Sequence, residues 1–298
     1  MAMDWDKVRV FHAAAEAGSF TAAGSSLGLS QSAVSRQVSS LEEDLNVALF
    51  HRHARGLLLT EQGERLFRAA QEISSRLHIA RTMLTDSREK PFGDLKITTT
   101  VGFGSSWLTP RLKEFIELYP DIRLRLLLHD SLLDIAMREA DVAIWLQPPT
   151  QPDLVQRKLF TIRFYIYASP EYLNEYGHPA SFDDLDKHRI ITFGAPVPEY
   201  LRDINWLETI GRPDNQPRKA VLSINNVHGL RRAVEDGIGI ATLPGYLIPK
   251  NSSLVKLLPD VKAPEFDAYF AYPEELRNSK RIIVFRDFIV SQARNAQF

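Results

Sequence analysis

At 298 residues the chain has room for two or three domains. Its composition, 44 % apolar and 24 % charged, is that of a soluble globular protein, and a net charge of −1 excludes a general nucleic-acid coat while allowing a local basic patch. The absence of cysteine excludes disulfides, thiolate metal sites and thiol redox switching, and suits a reducing cytoplasm. Asp4 and Asp6 stand where a signal peptide would be basic, and no apolar run follows them, so neither a signal peptide nor a membrane span is expected.

In chain order, residues 5–17 carry Val8, Val10, Phe11, Ala14 and Ala15 at helical spacing and stop at Gly18. Ser19 or Thr21 caps a second helix running to Leu27, and Gly28-Leu29 makes a turn. Ser30 is a good N-cap for a third helix, in which Val34, Val38, Leu41 and Leu45 share one buried face. Gln31, Ser32, Ser35, Arg36 and Ser39 point elsewhere, and Asn46 suits a left-handed stop. Residues 48–60 alternate around an Arg52-His53-Ala54-Arg55-Gly56 tip, as a hairpin or wing does. From Thr60 the chain turns helical again, with Leu66, Ala70, Ile73, Leu77, Ala80 and Leu84 recurring as a heptad seam beside Arg68, Arg76, Arg81 and Arg88. Nothing adjacent in sequence covers so long a seam, so pairing with a second copy through Leu66, Ile73, Leu77 and Leu84 is expected; the alternative is packing on its own domain. Pro91 and Gly93 end the helix.

Residues 94–298 read as strands alternating with helices, which implies an α/β domain with a mainly parallel sheet. Strand-like runs are Leu95–Val101, Ile122–Leu128, Val142–Leu146, Phe164–Ala168, Arg189–Phe193, Val221–Ile224, Gly239–Thr242, Leu254–Leu258 and Ala268–Tyr272. Helix-like runs are Ser106–Tyr119, Val227–Asp236 and Ser279–Ala293. About 200 residues is large for one such unit. Two half-domains with the chain crossing near 161–168 and returning near 265–272 are more natural.

The third helix has what a major-groove reader needs: small polar residues and a long donor on its outward face near the N-terminus. Ser30, Gln31, Ser32, Ser35, Arg36 and Gln37 are the candidates, with Arg36 able to meet guanine in a bidentate manner. Arg52 and Arg55 at the hairpin tip suit phosphate or minor-groove contact. Residues 1–65 nevertheless hold six Lys or Arg (Lys7, Arg9, Arg36, Arg52, Arg55, Arg65) against eight Asp or Glu. Binding must therefore depend on where charge stands, and nonspecific affinity should be weak.

Ala22-Ala23, Leu27, Ser30-Gln31-Ser32-Ala33-Val34-Ser35, Leu41-Glu42, Leu49-Phe50, Arg52, Leu59-Thr60 and Gly63 together resemble the N-terminal signature of LysR-type transcriptional regulators. Leu108–Leu112, Phe115, Tyr119–Asp121, Asp141–Ile144, Gly237–Ala241 and Leu243-Pro244 resemble that family's effector domain, so the likeness spans nearly the whole length. The runs 107–112 and 141–144 look most like the subgroup named for the glycine-cleavage activator. Asn46 replaces a usual Gly.

The resemblance implies an N-terminal α-helical winged helix-turn-helix, a long linker helix, and a C-terminal α/β two-lobed periplasmic-binding-protein-like domain. The expected bounds are 1–63 for the DNA-binding domain, 64–93 for the dimerisation helix and hinge, and 94–298 for the effector domain. Within the last, lobe I covers about 94–162 and 269–298, and lobe II about 163–268. Members are usually dimers of dimers on an interrupted palindrome of double-stranded promoter DNA, with the effector altering the spacing of the four heads; RNA polymerase is the further partner expected.

In two-lobed folds, ligands sit at strand ends and helix N-termini, where amides favour anions. By family analogy Thr99, Thr100, Phe103, Ser105, Ser106 and Trp145 form one wall here, with His129 near, and Arg163, Phe193, Asn226 and Thr242 lie across the hinge. A small organic acid or amino-acid-like metabolite is the expected effector. Each residue has a plainer alternative: Trp107 as core, His129 as a surface residue, Arg163 in a hinge ion pair, Trp145 covering the sheet end. No cofactor, metal or catalytic residue is expected, since no Gly-rich phosphate loop, metal-spaced His pair or Gly-x-Ser-x-Gly elbow occurs. A transporter's solute-binding protein is the competing reading of the C-terminal two-thirds, opposed by the N-terminal DNA module.

Overall fold

The computed structural model describes residues 4–53, 56–85, 90–131, 135, 139–151, 153–197, 199–213 and 216–294. The chain divides into two compact units, Met1–Thr85 and Asp86–Phe298.

The first unit runs α1 (Trp5–Ala17), α2 (Phe20–Leu27), α3 (Gln31–Leu45), β1 (Phe50–His53), β2 (Gly56–Leu59) and α4 (Glu61–Thr85). Asp4 opens α1 by accepting a bond from the Asp6 amide at 2.9 Å, and Gly18 closes it at φ 61°, a conformation that costs glycine little. Ser19 takes the N-cap position of α2 without a side-chain bond, so of the two expected caps it is Ser19, by backbone position alone. Asn46 ends α3 at φ 53°, the left-handed stop expected of it. Val8, Phe11, Ala14, Ala23, Val34, Val38 and Leu41 form the head's core, so the apolar face of α3 is spent on its own domain.

His12 of α1 stacks on Phe67 of α4 with ring centroids 5.2 Å apart. Its Nε2 is enclosed without a hydrogen-bond partner, and burial pushes its pKa below the ordinary 6.5, against a weaker upward pull from Glu16. The folded pKa is the lower one, so on acidification the unfolded chain takes up the proton first. This contribution is complete above the unfolded pKa of about 6.5 and is lost as pH falls below it. His12→Phe keeps the stack and removes the titration. Thermal melts should show the variant gaining on the wild type between about pH 7 and pH 5; a constant difference across that range contradicts the assignment.

The seam of α4 is divided. Ala70 is buried and Leu66 partly buried against the head's own core, together with Phe67, because the first turns of α4 pack on α1. Ile73 and Leu77 are 44 % and 53 % exposed. The expectation of one continuous pairing seam is thus corrected at its N-terminal end, where Leu66 serves the head. The side chains of Ala80 and Leu84 lie outside the described residues.

The second unit runs β3 (Gly93–Thr99), α5 (Val101–Phe103), a π-turn at Gly104–Leu108, α6 (Thr109–Leu118), β4 (Ile122–Leu128), β5 (Val142–Trp145), β6 (Leu154–Ala168), α7 (Pro170–Tyr176), β7 (Ile191–Phe193), β8 (Leu222–Ile224), α8 (Val227–Glu235), β9 (Ala241–Pro244), β10 (Val255–Leu257), β11 (Glu265–Pro273) and α9 (Lys280–Arg294). Its seven-stranded sheet has the order β10-β6-β11-β5-β3-β4, with β9 also on β6. The sheet is mixed and not mainly parallel. β3 runs parallel to β4 and β5, whereas β11 is antiparallel to β5 and β6, and β9 and β10 are antiparallel to β6. β7 and β8 form a separate parallel pair.

The reason for the mixture is β6, one strand of 15 residues where the sequence suggested only its last five. Residues 154–163 pair with β11, and from Phe164 onward the partners are β9 and β10. The chain thus passes from one half to the other within a single strand and returns along β11. The helix expected from Ser106 to Tyr119 begins as the π-turn, closed by the Thr109 amide and hydroxyl on Gly104 O. That turn sends Trp107 inward, onto Phe103 at 4.9 Å, with the Arg111 guanidinium 4.4 Å from its ring centroid.

Candidate functional site

The head presents α3. Ser30 Oγ accepts the Ala33 amide at 3.2 Å and shares a bond with Ser32 Oγ at 3.0 Å, which holds the first turn of the helix. Gln31, Ser32 and Arg36 are exposed, and Ser35 is half-buried on the same stretch. Gln37 differs from the expectation: it is half-buried and its Oε1 is enclosed, so its carbonyl is turned into the head. Of the head's basic residues, Lys7 pairs with Asp44, Arg9 with Asp6 and Arg65 with Glu61. Among the described residues Arg36 has no such ion pair, so its charge faces solvent on α3 despite the acidic excess of the sequence.

Four further signature residues fasten the wing. Glu42 Oε1 accepts the amides of Leu49 (2.8 Å) and Phe50 (3.2 Å), two donors of the chain entering β1. Phe50 packs between Phe11 and Phe20, at 5.2 and 5.9 Å. Thr60 Oγ1 donates to Ala48 O at 2.7 Å and accepts the Gly63 amide at 3.0 Å. Gly63 lies so close to β1 that an added Cβ would stand 2.1 Å from Leu49 O. Arg52 lies on β1 opposite Leu57; its side chain, and all of Arg55, fall outside the described residues.

In the second unit a narrow cleft opens where the ends of β3 and β4 meet β7 and α8. Thr100, Gly102, Asp130 and Leu146 line one side, and Phe164, Phe193, Leu201, Ile204, Val227 and Tyr246 the other. A continuation behind Phe193 reaches Asn205 and Thr242. The first part encloses about 10 Å³, room for one water, so a metabolite requires the walls to separate. They meet at Gly102, where a Cβ would stand 2.3 Å from Val227 Cγ2. Asn205 braces the inner wall, accepting the Phe193 amide (2.8 Å) and donating to its carbonyl (2.9 Å).

Of the ten residues expected to contact the effector, Thr100, Phe193 and Thr242 line this cleft. Thr242 is 5 % exposed and its Oγ1 has no partner. Asn226 stands at its edge as the cap of α8, accepting the His228 and Gly229 amides at 2.9 and 3.2 Å. The others have different tasks. Thr99 Oγ1 donates to Ile144 O across the sheet. Phe103 is fully buried between Trp107 and Tyr246. Trp145 packs in a separate small core with Ile135, Ala140 and Ala271. Arg163 is an exposed partner of Glu265 at 3.0 Å. Ser105 and Ser106 are not among the lining residues.

Asp130 was missed. Its Oδ1 accepts the Val101 amide at 3.1 Å. Burial raises its pKa, and the Val101 amide, His129 and His228 pull it back down. An acidic residue two positions after the end of β4 was the available signal.

A three-helix head with an exposed polar helix and a wing, in one chain with a two-lobed α/β unit holding a cleft, defines a ligand-responsive DNA-binding regulator. Residues 5–64 match the bacterial regulatory helix-turn-helix of the lysR family, and residues 88–294 match the LysR substrate binding domain. The chain belongs to the LysR family of transcriptional regulators. It is 33 % identical over 296 residues to the transcriptional regulator CrgA of Neisseria meningitidis, covering 97 % of each. It is 30 % identical to the regulator DmlR of Escherichia coli, covering 95 % of this chain and 92 % of the relative. The solved structure of CrgA aligns with a TM-score of 0.61 at 30 % identity, over 97 % of this chain and 98 % of that one. The full-length Vibrio cholerae virulence activator AphB gives 0.65 at 26 %, over 97 % and 99 %.

The protein is therefore a DNA-binding transcriptional regulator with an effector-binding unit, and not an enzyme. Regulators of this family bind promoter DNA and small-molecule effectors and form oligomers. No described helix is long and apolar enough to cross a membrane.

Proposed function

We propose that this protein is a cytoplasmic, metabolite-responsive regulator whose DNA-binding domain, about 1–63, reads promoter DNA with α3 and steadies itself with the wing. Ser30, Gln31, Ser32, Ser35 and Arg36 face the major groove, Arg52 and Arg55 the backbone. The linker of about 64–93 pairs two copies, and two such dimers form a tetramer on an interrupted palindrome beside RNA polymerase. The cleft of the effector domain, about 94–298, takes a small organic acid or amino-acid-like metabolite and sets the spacing of the heads. Within the family, the runs 107–112 and 141–144 favour the glycine-cleavage-activator subgroup.

One observation carries the DNA reading: Arg36 is exposed beside Gln31 and Ser32 on a capped helix whose opposite face is buried. Base contacts specify and phosphate contacts position. Arg36→Ala should cost about 1–3 kcal/mol at one base pair and flatten the preference there. Competition binding on single-base variants of a DNA fragment upstream of the protein's own gene measures this. An equal loss on all variants places Arg36 on phosphate instead.

A further inference from the structure

Among its described lining residues the cleft holds one charged side chain, and it is acidic. We propose that the metabolite recognised here presents a protonated amine to Asp130, and is an amine or amino acid and not a simple carboxylic acid. The inference rests on reading the cleft as the effector site and narrows what that site takes.

The features that make strand ends and helix N-termini attractive to anions are already used by the chain itself. The Val101 amide is held by Asp130, the Phe103 amide by Thr100 Oγ1, and the His228 and Gly229 amides by Asn226 Oδ1. No lysine or arginine lines the cavity among the described residues. A carboxylate entering the outer part of the cleft would meet the Asp130 carboxylate across walls of Leu146, Phe164 and Phe193, where like charges are poorly screened. An ammonium group there has the opposite outcome: it supplies donors and positive charge to a half-buried carboxylate whose ionised form burial disfavours.

The inner end of the cavity offers a second polar point. Thr242 Oγ1 is enclosed, lines that end, and has no hydrogen-bond partner. Buried hydroxyls are ordinarily satisfied, so this one is ready for a ligand atom. It can donate to a carboxylate or carbonyl oxygen. Between the two points stand Phe193 and Ile204, which belong to both parts of the cavity and suit a short apolar segment. A charged amine outside, an apolar middle and an acceptor inside describe a short ω-amino acid, or an amine with a carbonyl or hydroxyl group at its far end.

The test uses the full chain and matched probe sets: each proteinogenic amino acid and each unbranched ω-amino acid of three to six carbons, its decarboxylated amine and its deaminated acid, as in L-valine, isobutylamine and 3-methylbutanoate. Binding is measured by isothermal titration calorimetry, with thermal shift as a screen. In the set that binds best, the amino acid or amine should bind and the acid should not. Asp130→Asn keeps an oxygen for the Val101 amide and so preserves the fold. It should weaken the amine by about tenfold or more, the loss expected for a charge-assisted bond. An acid that binds as tightly as its amine overturns the proposal. If that acid's binding is lost in Phe193→Ala, the cleft remains the effector site and only the ligand class falls. Binding untouched by both Asp130→Asn and Phe193→Ala, or none in any set, overturns the cleft reading as well.

Discussion

Replacing Gly63 with alanine should cost the head about 3 kcal/mol or more and lower its melting temperature by roughly 10 °C or more. The added Cβ would stand 2.1 Å from Leu49 O, 3.0 Å from Leu49 C and 3.1 Å from Leu59 Cδ2. Two of those three atoms are backbone, held by the Glu42 carboxylate and by the Thr60 amide bonded to Leu49 O, so they yield only if the wing moves. Moving the wing also strains the Gly63 amide bond to Thr60 Oγ1 and the Thr60 bond to Ala48 O. Domains of this size are stable by only about 5–15 kcal/mol, so a large share of the total is at stake. Calorimetry on the full chain should show the head's transition shifted down while that of the second unit stays. A Gly63→Ala variant melting with the wild type would show that the wing is not fastened this way.

Leu77→Lys should abolish pairing of two chains and with it about 100-fold or more of the affinity for DNA carrying two half-sites. Ile73 and Leu77 stand exposed one turn apart on α4, and a fully buried side chain of this type contributes about 1.5–3 kcal/mol. Pairing two helices counts each residue twice, and a lysine at 77 sets two charges against each other at the seam. Affinity for DNA with one half-site should hardly change, because the exposed face of α3 is untouched. Light scattering gives the mass and fluorescence anisotropy the two affinities. An unchanged mass would move the pairing surface away from Leu77.

The helices of the head were legible because their buried residues recur at helical spacing and because Ser30, Gly18 and Asn46 mark their ends. The role of Glu42 was not, since a carboxylate that accepts amides seven and eight residues ahead leaves no periodic trace. Leu66 and Leu77 look alike in the heptad pattern. Only packing shows that the first serves its own domain and the second does not. The direction of β11 was hidden for a related reason: strand spacing records that strands exist and not which way they pair. β6 was cut short because Gln156, Arg157, Lys158 and Arg163 interrupt its apolar residues. Phe103 read as a pocket residue by its place after β3, but the π-turn beside it puts its ring in the core. Asp130 was overlooked beside His129, although it is the residue that gives the cleft its charge.

On the proposed function, paired α3 helices read specific promoter sites under control of the cleft. Genome-wide mapping of the sites bound by the full-length protein tests it most directly. The expected result is a limited set of sites upstream of genes, each containing a short interrupted palindrome with two half-sites. Binding spread evenly along the genome with no recurring sequence would contradict it.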